Sequence, residues 1–187
     1  WRFALPEIRK LGPGFAATGE AEFVKAVNQV RPSLIRTEAD EVTYNLHIIL
    51  RFELEKGLFE DRIKVGDLPE LWNAGMQQYL GIAVPDDRRG VLQDIHWSDG
   101  SFGYFPTYAL GNLLAARVRE AAFAAIPDLD EQIGRGSFGE LGDFLRRQIY
   151  RFGASLTPAE LSRQVFGSDE IDEKPFLDYL RKKFELK

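Results

Sequence analysis

Along most of this chain, apolar residues return every three or four positions, which is the period of a helix buried along one face. Alternating runs rich in Val, Ile and Thr are scarce. A first short segment near Pro6 to Leu11 stops at Gly12-Pro13-Gly14, which cannot continue a helix. Phe23, Val24, Val27 and Val30 mark a second helix from about Glu20 to Val30, closed by Pro32. The third and most apolar segment runs from about Ala39 to Lys56. Val42, Leu46, Ile49, Leu50 and Leu54 set its stripe, Ile48 and Phe52 widen it, and Gly57 is placed to cap it. Ile63 to Val65 reads as a short strand or an extended bend. Asp67 with Glu70 opens a helix that reaches Leu80 and stops at Gly81. Pro106 suits the first turn of a long helix to about Ile126, its inward face carrying Leu110, Leu113, Leu114, Val118 and Ala121. Asp128, Ser137 and Thr157 each have Glu three residues on, the sequence signature of a capping box. Gly136, Gly153 and Gly167 close the short helices that follow, and a last helix spans Lys174 to Phe184. No repeat or low-complexity linker interrupts the pattern. The chain reads as one all-α, multi-helix unit with eight or nine helices.

The exception is the stretch from Pro85 to Phe105. It has three glycines and no helical period, and it is long for a connection inside a compact helical fold. Trp97, Phe102, Tyr104, Phe105 and Tyr108 lie in or just after it, so packed aromatic rings would hold it in place.

Composition narrows the function classes. The 187 residues are 44% hydrophobic and 28% charged, with a net charge of −5. That is globular rather than disordered. The acidic balance argues against a nucleic-acid partner. No apolar run approaches the roughly 18 residues of a membrane span, no signal peptide is visible, and a cytoplasmic location is expected. With no Cys, disulfides, Cys-based zinc sites and thiol nucleophiles are excluded. The two histidines stand far apart, outside any H-E-x-x-H spacing, so this chain alone is expected to bind no metal. No nucleophile elbow, P-loop or dinucleotide fingerprint is present.

Two concentrations of chemistry remain. Gln93-Asp94-Ile95-His96-Trp97 gathers an amide, a carboxylate and an imidazole within the irregular stretch. A histidine there could donate a proton or hydrogen bond near neutral pH, and a Tyr hydroxyl could bind an oxyanion. The plainer reading is that His96 and Asp94 only shape the loop. The second concentration is Ile35-Arg36-Thr37-Glu38-Ala39-Asp40-Glu41, at the entrance to the most apolar helix. A guanidinium suits a carboxylate, whether a side chain or the end of a peptide. Capping and an internal ion pair are the plainer explanation. Tyr44, His47 and Arg51 share one face of the helix that follows, and His47 reads there as a core residue.

Ile35-Arg36-Thr37-Glu38-Ala39-Asp40 resembles the I/V-R-x-x-A-D motif of the carboxypeptidase Taq family, and Gly90-Val91-Leu92-Gln93-Asp94-Ile95-His96-Trp97 resembles its G-x-x-Q-D-x-H-W motif. Both are complete and in order, and the segments beginning at Glu41 and Gly103 are similar to that family as well. The resemblance implies part of a larger, largely helical zinc metallocarboxypeptidase that removes residues from peptide C-termini, usually as a homodimer. In such enzymes a zinc-bound water, activated by the Glu of H-E-x-x-H, attacks the scissile carbonyl. That motif is absent here, as are the family's other N-terminal motifs. The chain begins at Trp1 rather than Met, and the expectation is a C-terminal portion, residues 1–187, whose N-terminal half of about 300 residues holds the zinc. Tyr150 and Leu156 stand where the family often has His and Tyr.

The resemblance also implies roles. Arg36 would bind the substrate's terminal carboxylate, with Gln93 and Asp94 beside it in substrate binding or orienting the loop. His96 would stabilise the oxyanion or bond the substrate backbone, assisted by Tyr104 or Tyr108. Glu38 and Asp40 would position Arg36 or a zinc ligand from the absent half. The competing reading is a non-catalytic helical interaction or assembly module. A hydrolase built on His96 and Asp94 alone lacks a nucleophile. A partial enzyme should also expose apolar surface, expected near Ile35, Val42 or Trp97.

Overall fold

A computed structural model describes residues 1–186. Its helices are α1 (Leu5–Ile8), α2 (Pro13–Ala16), α3 (Glu20–Val27), α4 (Tyr44–Phe59), α5 (Leu68–Leu80), α6 (Phe105–Ala125), α7 (Leu129–Gly134), α8 (Gly139–Gln148), α9 (Pro158–Phe166) and α10 (Lys174–Phe184). Single 3₁₀ turns lie at Arg9–Leu11, Arg36–Glu38, Val65–Asp67 and Tyr150–Phe152. No strand occurs among the described residues, so the all-α expectation holds and Ile63 to Val65 is not a strand. No helix among them is long and apolar enough to cross a membrane.

Contacts gather the chain into two compact units. The first comprises Trp1–Asn28 and Leu113–Tyr179. Its core is Ala122, Ile126, Leu129 and Phe144, with Phe123, Ile133, Leu141 and Leu145 packed around it. Trp1 meets Phe23 edge-on at 5.0 Å between ring centres. The Phe3 ring sits where Gly136 lacks a side chain; a Cβ there would lie 2.4 Å from the ring, and the glycine's φ is +74°. Only glycine serves that turn.

The second unit comprises Gln29–Asn112 and the chain from Leu180. Leu50 and Leu54 of α4 pack with Leu68, Trp72, Met76 and Leu80 of α5. The two helices approach closely at Gly75, where a Cβ would fall 2.2 Å from a Leu50 methyl.

Several local expectations change on tertiary grounds. Helix α4 begins at Tyr44 rather than Ala39, because Asp40 Oδ1 accepts the N–H groups of Val42 and Thr43, both at 2.9 Å, and folds the chain into a turn first. Gly57 does not cap α4. It lies inside the helix with Ile63 packed against it, and α4 runs on to Phe59. Asp67 accepts from Lys64 N–H and not from its own helix. Of the three expected capping boxes, Thr157 with Glu160 forms one; Asp128 and the start of α8 make no side-chain cap bond. On α6, Leu110 and Leu114 are exposed, and Ala116 and Ala122 are buried instead.

Candidate functional site

The site lies wholly in the second unit. It joins the Arg36–Glu38 turn, the buried face of α4, the irregular loop after α5 and the first turn of α6. Asp94 is its centre. Arg36 donates to Asp94 Oδ1 from Nε (3.1 Å) and Nη2 (2.8 Å). Arg51 donates to Asp94 Oδ2 from Nε at 2.7 Å. One carboxylate thus holds two guanidinium groups, and the Arg51 side chain is fully buried. Gln93 locks the same corner. Its Oε1 accepts from the Arg36 backbone N–H and from Arg51 Nη2, each at 2.9 Å. Its Nε2 donates to the carbonyls of Leu34 (3.1 Å) and Arg89 (3.0 Å). The amide is therefore satisfied inside the protein on both atoms.

Aromatic faces complete the pocket. The Arg51 guanidinium lies 4.4 Å from the Trp72 ring centre and 5.4 Å from that of Phe105. The Arg36 guanidinium lies 5.0 Å from the Tyr108 ring and donates to Tyr44 Oη at 3.0 Å. Arg36 spends three of its five N–H groups on Asp94 and Tyr44, which leaves one on each terminal nitrogen, a pair suited to a carboxylate. His96 also meets Tyr108, its Nε2 3.1 Å from the hydroxyl. Its ring is tilted onto Phe105 at 4.4 Å, and Nδ1 has no hydrogen-bond partner among the described residues. Arg36 and His96 therefore meet the same tyrosine, Arg36 over the ring and His96 at the hydroxyl. Tyr104 reaches the imidazole only by ring contact, at 5.8 Å, and is half exposed.

The charges are coupled. Burial pushes the Asp94 carboxyl up, but the Arg36 hydrogen bond and the Arg51 charge outweigh it and hold Asp94 below the usual carboxylate range. Burial lowers Arg51 to about 10. His47, one turn before Arg51, is fully buried as a core residue should be, yet neither ring nitrogen has a partner. Burial, then the Arg51 and Arg36 charges, lower its pKa to about 4, so it stays neutral. The Arg36–Asp94–Arg51 cluster keeps one unmatched positive charge.

The remaining expected residues are placed differently. Asp40 shapes the approach to α4, accepting also from Arg31 N–H (3.0 Å) and Thr43 Oγ1 (2.9 Å), and does not touch the Arg36 guanidinium. The Glu38 side chain is exposed to solvent. Ile35, Val42 and Trp97 are partly buried; the exposed apolar residues of this unit include Ile49, Phe52, Phe59, Leu92, Ile95 and Phe102. Phe52, Phe59 and Phe102 line an open hollow of about 480 Å³. Glu55 escaped the sequence reading, which placed Arg51 only on a helix face with Tyr44 and His47, and Phe105 only among the aromatic residues of the loop. The signal for Glu55 was its four-residue spacing from Arg51 and His47 on a helix that also carries Asn45, Glu53 and Lys56, and spacing alone does not distinguish a buried polar row from a solvated one.

No group of three or more potential ligands that could hold a metal occurs among the described residues. The donors present do not suit zinc. Burial and the Arg51 and Arg36 charges disfavour a cation at His47, and the Asp94 oxygens are occupied by the two guanidinium groups.

Comparison with known proteins agrees with both motifs. The family described as carboxypeptidase Taq (M32) metallopeptidase matches residues 1–184, and this chain belongs to it. It is 44% identical over 187 residues to thermostable carboxypeptidase 1 of Thermus thermophilus, covering 98% of this chain and 36% of that protein. It is 42% identical over 163 residues to carboxypeptidase 1 of Bacillus subtilis, covering 87% of this chain and 32% of that one. The crystal structure of the M32 carboxypeptidase from Deinococcus radiodurans superposes with a TM-score of 0.93 at 42% identity, over 98% of this chain and 37% of its own. The chain thus spans about a third of the length of the curated relatives it matches. Its helices form part of a larger helical metallopeptidase fold.

Proposed function

We propose that this chain is the C-terminal portion of a zinc metallocarboxypeptidase that hydrolyses the last peptide bond of peptides. The observation that carries the reading is the convergence of Arg36 and His96 on Tyr108. Arg36 binds the terminal carboxylate with its two remaining N–H groups, and the unmatched positive charge favours an anion there. His96 stabilises the oxyanion or bonds the substrate backbone. Of the two tyrosines, Tyr108 assists it, because its hydroxyl is within hydrogen-bonding reach of the imidazole. Gln93 and Asp94 act by holding Arg36, and Asp40 by shaping the turn beneath it. The zinc is held outside this chain, so no step through it is assigned to these residues.

The whole protein is read as a cytoplasmic homodimer. The absence of Cys is compatible with the first, and sedimentation tests the second. Mass determination of the natural gene product tests the main reading, together with zinc content and release of C-terminal residues from free and amidated peptides. A protein some 300 residues longer that binds zinc and cleaves only free C-termini, and whose cleavage falls to a small but measurable residue in Arg36→Met and His96→Ala, supports it. A natural product of this length that binds no zinc and cleaves nothing would favour a non-catalytic helical module, to which the exposed Phe52, Phe59 and Phe102 would then belong.

A further inference from the structure

A long loop without regular structure has to be held by something if it carries a catalytic group. Here the holder is one face of α4. Arg51 bonds Gln93 and Asp94 on one side of His96. Glu55, one turn further along, accepts from Trp97 Nε1 at 2.6 Å through Oε1 and from the Gly103 N–H at 3.1 Å through Oε2. Both side chains are buried, Arg51 at 0% and Glu55 at 3% exposure. Four loop positions, Gln93, Asp94, Trp97 and Gly103, are thereby tied to two helix residues, and His96 lies between them. Taking a guanidinium and a carboxylate out of water is costly, and apolar side chains would fill the same space at lower cost. Their presence fits a demand for direction rather than for stability.

We propose that Arg51 and Glu55 are positioning residues of two kinds: Arg51 fixes the Arg36 guanidinium through their shared Asp94, and Glu55 fixes His96 through the adjoining Trp97 and the far end of the loop at Gly103. The proposal rests on the carboxypeptidase reading above and assigns each clamp to a different half of the reaction. Arg51 serves recognition of the terminal carboxylate. Glu55 serves the imidazole at the reacting carbonyl. Neither touches substrate.

The division of roles is testable by steady-state kinetics on the whole zinc-loaded enzyme that carries this sequence. Lysine at 51 keeps the charge but loses the planar fork that reaches Asp94 and Gln93 together. Arg51→Lys should raise KM about tenfold and change kcat less than about threefold. Glu55→Gln keeps the shape but leaves one acceptor oxygen where two are needed. It should lower kcat about tenfold and leave KM within about twofold. Each effect should vanish when its target is gone: Arg51→Lys adds less than about twofold in an Arg36→Met background, and Glu55→Gln the same in His96→Ala. In zinc-free protein, calorimetry should show Arg51→Lys weakening a free-carboxylate peptide about tenfold while an amidated peptide is unaffected. If either variant fails to fold, Asp94→Asn reads the first clamp and Trp97→Phe the second. Equal changes in kcat and KM for both, or losses that simply multiply in the double variants, would overturn the proposal. Arg36→Met and His96→Ala serve as separate controls: if they leave catalysis intact the functional reading fails, and if they reduce it to a small residue while Arg51→Lys and Glu55→Gln do nothing, only the clamps fail.

Discussion

The loop between α5 and α6 holds two aspartates paired to arginine with nearly the same geometry. Asp86 accepts from Arg89 Nη2 at 2.7 Å, and Asp94 from Arg36 Nη2 at 2.8 Å. Their surroundings differ. The Arg89 and Asp86 side chains are 54% and 44% exposed, whereas those of Arg36 and Asp94 are 8% and 12% exposed. Water screens the first pair, and its members are three residues apart on one turn, so it joins nothing distant. The second is largely shielded, it gains a further guanidinium from Arg51, and it ties together the Arg36 turn, α4 and the loop. Identical chemistry serves local trimming in one place and architecture in the other.

The sharpest way to break this comparison is to remove each aspartate in turn. Asp94→Ala leaves two buried guanidinium groups facing each other without a counter-charge, and should cost about 3–5 kcal/mol in urea unfolding. A smaller value would mean that the arginines relax into solvent and that the cluster is less confined than its burial implies.

Acid titration sharpens the contrast through His47. In the unfolded chain a histidine titrates near pH 6.5, whereas folded His47 stays neutral down to about 4. As pH falls between those values the unfolded state takes up the proton first, so folding stability should drop by up to about 3 kcal/mol. His47→Gln should remove that slope. Asp94 acts in a lower window. Its folded pKa lies below the unfolded value, so its contribution is present above about pH 4 and is lost as pH falls toward the depressed value. Asp94→Asn should flatten that lower limb and extend the His47 slope to lower pH, because the Asp94 charge opposes the two arginines at His47.

Salt gives a smaller effect. At 1 M the screening length is roughly 3 Å, which erases what the Asp86–Arg89 pair contributes and leaves the shielded cluster largely unaffected. Melting curves of the wild type and Asp94→Asn should therefore keep their separation between low and high salt. The smallest effect belongs to Asp86→Ala, for which a thermal scan should show no resolvable change. A clear loss there would show that the exposed pair helps to hold the loop.

Much of the architecture was legible along the chain because helix periodicity and glycine stops are local properties. The bounds of α10 match the expectation from Lys174 to Phe184, and Gly81 ends α5 in the left-handed conformation at φ +68°. Legibility failed where a distant group intervened. Asp40 delays α4, Ile63 packs on Gly57 and lets the helix continue, and the outward side of α6 could not be read from its own leucines. The site divided in the same way. Arg36, Gln93, Asp94 and His96 stood out because two motifs carry them. Arg51, Glu55 and Phe105 did not, since their importance lies in partners more than 40 residues away, such as Asp94 for Arg51 and Gly103 for Glu55.

The sequence by itself determined the helical class, most stop points, the family and the residue types of the site, because these depend on period, glycine placement and short motifs. Only the tertiary structure decided that Arg36 and His96 share one tyrosine, that Asp94 is divided between two arginines, and that a row of polar residues faces inward on α4. Burial and charge pairing are set by segments remote in the chain, and no local pattern records which remote segment arrives.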